Sequence, residues 1–199
     1  YPPRAAVGLS FMQQLAILKQ FDLYTGEFEP ALEAAIQGLE NFDARTKAEA
    51  LAHQLHGKLP IFYAPTELSS LAIRFRQQVN ENAKQLCWHH ILPEMNHNEL
   101  VGWHFPTELM PSLAVVFLRS ELEHPRTTLR FAITKELVSQ HTTHVHEVYG
   151  RGDDMVGHML YLLHYADWVS LELARLNQIE PTPVKVIDFL KGELAKHQA

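Results

Sequence analysis

Residues 80–103, NENAKQLCWHHILPEMNHNELVGW, crowd amides, a lysine, three histidines and several carboxylates into one short stretch. That is too much polarity for a packing element. Asn96, His97 and Asn98 have the short polar side chains that favour turns, and they lead into the apolar Leu100, Val101 and Trp103. Glu99 therefore falls at an element boundary beside apolar surface. A carboxylate that loses hydration in such a place can take and return a proton near neutral pH. The other reading of a glutamate beside a turn is a helix cap, which stabilises a helix start and does no chemistry.

The remaining reactive residue types point elsewhere. Thirteen histidines raise the question of a metal site, and His141, His144 and His146 form the tightest cluster. On a strand His144 and His146 would share a face, but His141 need not point with them, and no HExxH or Cys/His quartet accompanies them; no metal site and no cofactor is expected. His89 and His90 are adjacent and would diverge on a helix. The single cysteine, Cys87, sits among apolar residues without an activating partner, as a small core residue would.

These groups must be positioned by an alternation of helices and strands. Ahead of the polar stretch, Leu68, Leu71, Ile73, Phe75 and Val79 recur near helical spacing, so Asn80, Asn82 and Lys84 are expected at the end of a helix that Pro93 stops. Helical periodicity also marks residues 5–24, 30–39 and 46–56, closed by Gly26 and Gly57. Residues 59–64 are a continuous apolar run bounded by turn residues, which fits a strand buried on both faces. Residues 112–118 form the clearest strand; His124-Pro125 opens the next helix; residues 142–149 alternate polar and apolar, as a strand near a sheet edge would. A long apolar helix follows over 153–177, Pro181 and Pro183 break it, and 184–196 form a last helix. The pattern predicts an α/β fold, a three-layer αβα sandwich with a mostly parallel sheet and extra terminal helices.

Composition narrows the function classes. The chain has 199 residues and 46% hydrophobic content, enough for one domain with a substantial core. A formal charge of -6 leaves no electrostatic footprint for nucleic acid. One cysteine excludes an internal disulfide framework, and no apolar run reaches membrane-spanning length, so no membrane partner is expected and a cytoplasmic location is. No glycine-rich phosphate loop of the GxGxxG or GxxxxGK[ST] kind occurs.

The strings NENAK, LPEMNHNE and GW, with YPPRAA at the start, EHPRTTLR in the middle and YADWVSLELARLNQIEPTPVKVIDFLK at the end, resemble the sugar isomerase (SIS) domain of bifunctional phosphoglucose/phosphomannose isomerases, within the phosphoglucose isomerase superfamily. The resemblance spans nearly the whole chain. It implies aldose–ketose isomerisation of a sugar phosphate, with Glu99 as the base. It further implies His124 as a ring-opening histidine supplied by the neighbouring subunit, Lys191 (or the nearby Lys196) as the ring-opening lysine, Arg4 as the stabiliser of the enediolate, and Thr182 as the hydroxyl linked to accepting both epimers. Read alone, His124 is equally a helix-initiating surface residue. The resemblance also implies that residues 1–199 are the C-terminal half of a two-SIS-domain protein, the phosphate loops belonging to a missing N-terminal SIS domain. A homodimer is expected, from the shared His124 and from a helix at 153–177 that asks for more apolar cover than one small domain offers. The competing reading is a non-catalytic sugar-phosphate-binding or dimerisation module.

Overall fold

In the computed structural model, which describes residues 3–197, three helices lead into the first strand: α1 (Val7–Gln20), α2 (Glu29–Asn41) and α3 (Ala44–Leu55). Tyr1 and Pro2 of the YPPRAA string lie outside the described residues. Asp43 caps α3, its carboxylate accepting the Thr46 N–H, as short polar residues at that position do. There follow β1 (Leu59–Pro65), α4 (Ser69–Ala83), β2 (Trp88–Leu92), the short α5 (Glu94–His97) and α6 (Glu99–Gly102), β3 (Leu113–Arg119), α7 (Pro125–Val138), β4 (Val145–Tyr149), α8 (Met155–Leu176) and α9 (Lys185–Ala195).

The four strands form one parallel sheet in the order β2-β1-β3-β4, with helices on both faces. This is the α/β three-layer arrangement that the alternation of elements predicts. The central β1 and β3 are buried on both faces, which is why their sequences are continuous apolar runs; β4 lies at an edge and is mostly half-buried, without the alternation expected of it, since only Val148 is buried.

The other edge strand, β2, departs from the sequence reading. The helix expected to continue to Pro93 ends at Ala83, and Lys84 adopts a left-handed conformation (φ 51°) that turns the chain. Trp88, His89, His90, Ile91 and Leu92 then pair with β1. Aromatic and β-branched residues here follow their preference for a pleated, half-buried surface over the extension of a helical pattern.

Each face of the sheet carries its own core. Phe62, Ala64, Val116 and Leu118 meet α3, α4 and α8 on one side; Ile61, Tyr63, Val115 and Phe117 meet Leu92, Met95, Trp103, Phe131 and Val138 on the other. The apolar α8 finds its cover within the chain, packing against α2, α3 and α4, so its hydrophobicity does not call for a second subunit. By contrast α1 and α9 bury no residue. Among the described residues no helix is long and apolar enough to cross a membrane.

Candidate active site

Parallel pairing sets Tyr63 of β1 opposite His90 of β2. Residues in register on neighbouring strands project to the same face, so the phenol and the imidazole stand side by side. After Leu92 the chain leaves β2 through Pro93, and the two short helices α5 and α6 fold it back over that face. Met95 and Trp103, both buried, anchor the excursion. The return places Glu99 at the first position of α6, where the Asn98 side chain accepts its backbone N–H.

Both oxygens of Glu99 are then held. Oε1 accepts the hydroxyl proton of Tyr63, and Oε2 lies 2.6 Å from Nδ1 of His90. Trp103 donates its indole N–H to the Tyr63 oxygen at 3.1 Å, which leaves that hydroxyl only one direction for its own proton, towards Glu99. Burial, then the Glu99 charge, pushes the Tyr63 phenol far above its ordinary range, so it stays a donor. The inner oxygen faces a fully buried residue. The pair is half-exposed: Glu99 and His90 side chains are 34% and 31% exposed, and together with Ile61, Trp88 and His89 they line an open pocket of about 450 Å³. Burial, with Arg76 and His90 adding, lowers the His89 pKa, which favours the neutral ring. A carboxylate oriented by two donors on the wall of an open pocket can take a proton from a bound molecule and return it.

A second polar cluster gathers at the end of α4. The Arg4 guanidinium donates from Nε to Asn82 Oδ1 at 2.7 Å and from Nη2 to the carbonyls of Pro181 and Thr182 at 2.8 and 2.7 Å. Lys84 also donates to the Pro181 carbonyl, at 3.0 Å; burial, with the Arg4 charge, lowers its pKa. Arg4, Thr182, Gln78 and Asp167 border a cavity of about 270 Å³. Arg4 and Thr182, named from widely separated strings, are thus brought together.

This cluster shares no bond and no lining residue with the Glu99 pocket, and the other candidates stand apart from both. His124 is exposed and caps α7, its Nδ1 accepting the Arg126 N–H at 3.1 Å, which is the helix-initiating role that its sequence alone allows. Lys191 is exposed on α9. Neither bonds to Glu99 within the chain. None of the partners of Glu99 stands out in the sequence: Tyr63 falls within the buried apolar run 59–64, Trp103 in the apolar string after Glu99, and His90 in a stretch that reads as helix. Reading residues 88–92 as a strand in register with residues 61–65 is the signal that pairs Tyr63 with His90.

The family described as the bacterial phospho-glucose isomerase C-terminal SIS domain matches residues 44–194. The chain belongs to this family. The SIS domain is 34% identical over 197 residues to the bifunctional phosphoglucose/phosphomannose isomerase of Aquifex aeolicus, a match that covers 99% of this chain and 60% of that protein. The enzyme of the same name from Caldicellulosiruptor bescii is 33% identical over 204 residues, covering 98% and 60%. The SIS domain therefore spans about 60% of the length of these relatives. Its fold is shared with a glucose-6-phosphate isomerase like protein from Thermus thermophilus, at a TM-score of 0.58 and 24% identity over 67% of this chain and 44% of that one. The C-terminal domain of glucosamine-fructose-6-phosphate aminotransferase from Francisella tularensis superposes at 0.57 with 11% identity, over 81% and 48%. The parallel sheet flanked by helices is the common feature, and the two curated relatives are named bifunctional phosphoglucose/phosphomannose isomerases.

Proposed function

We propose that this SIS domain supplies the base for aldose–ketose isomerisation of glucose 6-phosphate or mannose 6-phosphate to fructose 6-phosphate. The supporting observation is the Glu99 carboxylate, fixed between Tyr63 and His90 on the wall of an open pocket. In the open-chain sugar, Glu99 takes the proton from C2; the C–H electron pair forms the C1–C2 double bond and the carbonyl pair moves onto O1. The resulting enediolate carries charge that a guanidinium would offset, the role the family resemblance gives Arg4, which lines a separate cavity from Glu99 within this chain. The O2 hydroxyl proton passes to O1, leaving the charge on O2; as the C2 carbonyl forms, the double-bond pair takes the proton from Glu99 at C1, giving the ketose. Lys191 and His124 open the ring, His124 reaching the site of a facing subunit in a homodimer, and Thr182 contacts the sugar hydroxyls. The phosphate is held by an N-terminal SIS domain in a longer protein, in keeping with relatives of which this chain spans about 60%.

Glu99→Gln in the full-length protein tests the proposal. The amide keeps the shape of the side chain and removes its basicity, so kcat for both epimers should fall by about 10²–10⁴-fold with KM little changed. The capping reading expects the reverse: about 1 kcal/mol lost in stability and kcat almost intact.

A further inference from the structure

His90 meets Glu99 through Nδ1, at 2.6 Å. A carboxylate can only accept, so Nδ1 carries a hydrogen in either charge state of the ring. Nε2 is the nitrogen left over, a lone pair when the ring is neutral and a donor when it is protonated. Among the described residues it bonds no protein group. Nor is it sealed in: the histidine nitrogen that is buried there without a bond is Nε2 of His146, on β4. The ring is held at two points, by the pairing of its backbone with Tyr63 and by Glu99 at Nδ1. A flip would break the second hold, so the direction of Nε2 is set. His90 and Glu99 line the same pocket, and a proton-carrying nitrogen therefore stands one imidazole ring away from the carboxylate.

The isomerisation contains a transfer that Glu99 does not perform. Between the enediolate and the ketose, a hydroxyl proton must leave O2 and one must arrive on O1. Passed directly, it would bend across a ring of H, O2, C2, C1 and O1, far from the near-linear arrangement that a hydrogen bond favours. A group that gives to one oxygen and takes from the other keeps both transfers straight. That group must lie beside the base, because O2 is bonded to the carbon that Glu99 deprotonates and O1 to the carbon that it reprotonates.

We propose that His90 is a second catalytic residue of the Glu99 pocket, its Nε2 exchanging the hydroxyl protons of O1 and O2. The inference rests on the isomerase reading above. With the ring protonated, Nδ1–H and the Glu99 carboxylate form an ion pair, and Nε2–H is the free donor. As Glu99 takes the C2 proton, the Nε2–H bond breaks towards the charge on O1, which becomes a hydroxyl, and the ring is left neutral. The Nε2 lone pair then takes the proton of O2, the O2 pair forms the C2 carbonyl, and the double-bond pair takes the proton from Glu99 at C1. Carboxylate and imidazolium are both restored, and no metal, oxidant or further reactant enters.

The test uses full-length protein carrying His90→Asn or His90→Gln and glucose 6-phosphate deuterated at C2. The Asn amide can set an N–H where Nδ1–H met Glu99 and has nothing at the Nε2 position; the longer Gln amide bonds but does not titrate. Mass spectrometry in ordinary water reads two rates, the loss of deuterium from recovered glucose 6-phosphate and the formation of fructose 6-phosphate. In His90→Asn the enediolate still forms but goes forward slowly, which gives the deuteron on Glu99 time to exchange through the open pocket before a proton returns to C2. Ketose formation should fall by about 10²-fold, the lower end for a positioned acid–base group, and the ratio of label lost to ketose formed should rise by about ten-fold. A residue that only holds Glu99 would slow both rates together. An unchanged ratio in folded His90→Asn, or wild-type kcat there, overturns the proposal; if that variant does not fold, the same result in His90→Gln does. Glu99→Gln measured alongside separates the two claims. Retained label loss and turnover there defeat the isomerase reading, whereas their loss there with an unchanged ratio in the His90 variants defeats the claim for His90 alone.

Discussion

Tyr63→Phe removes one oxygen from the middle of a hydrogen-bonded chain, Trp103 to Tyr63 to Glu99. Two costs follow. The bond to a carboxylate contributes about 1.5–3 kcal/mol, and the buried indole N–H of Trp103 left without an acceptor costs about 1–3 kcal/mol more. Relaxation around a ring of the same shape recovers part of this, so a net loss of about 2–4 kcal/mol is expected, against single-mutant effects that centre near 1 kcal/mol. For a domain of this size each kcal/mol shifts the melting temperature by about 2–4 °C, so Tm should fall by roughly 5–15 °C. Activity should fall too: Glu99 keeps only its His90 hold, and a base free to swing away from the pocket should lose about ten-fold in kcat with a smaller change in KM. Thermal melts followed by tryptophan fluorescence, and steady-state assays on the full-length protein well below its Tm, give both numbers. Tm within about 2 °C of wild type together with unchanged kcat would refute the claim that this hydroxyl orients the base.

Three further outcomes follow from the structure. Burial raises the Glu147 pKa, but the bonds from Lys135 and the buried Arg119 outweigh it and hold the carboxyl below its ordinary 4.5. A folded-state value below the unfolded one stabilises above the unfolded pKa and is lost as pH falls through the folded value, so Tm should drop below about pH 4.5, and Glu147→Gln should flatten that part of the curve. Asp167 shows the opposite sign: burial raises its pKa, with Gln78 and Arg74 opposing. Its ionised form is the costly one, so Asp167→Asn should melt higher than wild type at pH 7, with the gain shrinking as pH falls, by calorimetry. Finally, mixing full-length Glu99→Gln with His124→Ala should restore up to about a quarter of wild-type activity, since half of randomly mixed dimers then carry one site with both groups intact; if His124 served its own chain, the mixture would stay inactive.

Most of the architecture was legible because burial writes a period into the sequence. The runs at 59–64 and 113–118 are apolar throughout because β1 and β3 are covered on both faces, whereas in β4 the adjacent His146 and Glu147 break the alternation and the strand's edge place shows only in the sheet. The strand β2 was not legible. It follows a well-formed helix without glycine or proline, and the break is made by Lys84 taking a left-handed turn, which no lysine announces. That one error hid His90, since adjacent histidines diverge on a helix, while on a strand one of them faces Tyr63. Glu99 was legible from the polarity of its neighbours; its partners depend on a register between residues 27 positions apart, which local pattern does not carry. Arg4 and Thr182 could be named from their strings, but the contact between them joins residues 178 positions apart and is visible only in the fold.

The most direct measurement is the breaking of the C2–H bond itself. With glucose 6-phosphate deuterated at C2 and full-length protein, deuterium NMR follows the label as it leaves C2, whether it reaches C1 or water, and so reads proton abstraction in isolation. Wild type should clear the label at its turnover rate, and folded Glu99→Gln should do so about 10²–10⁴-fold more slowly. Label leaving C2 in Glu99→Gln at the wild-type rate would show that another group is the base.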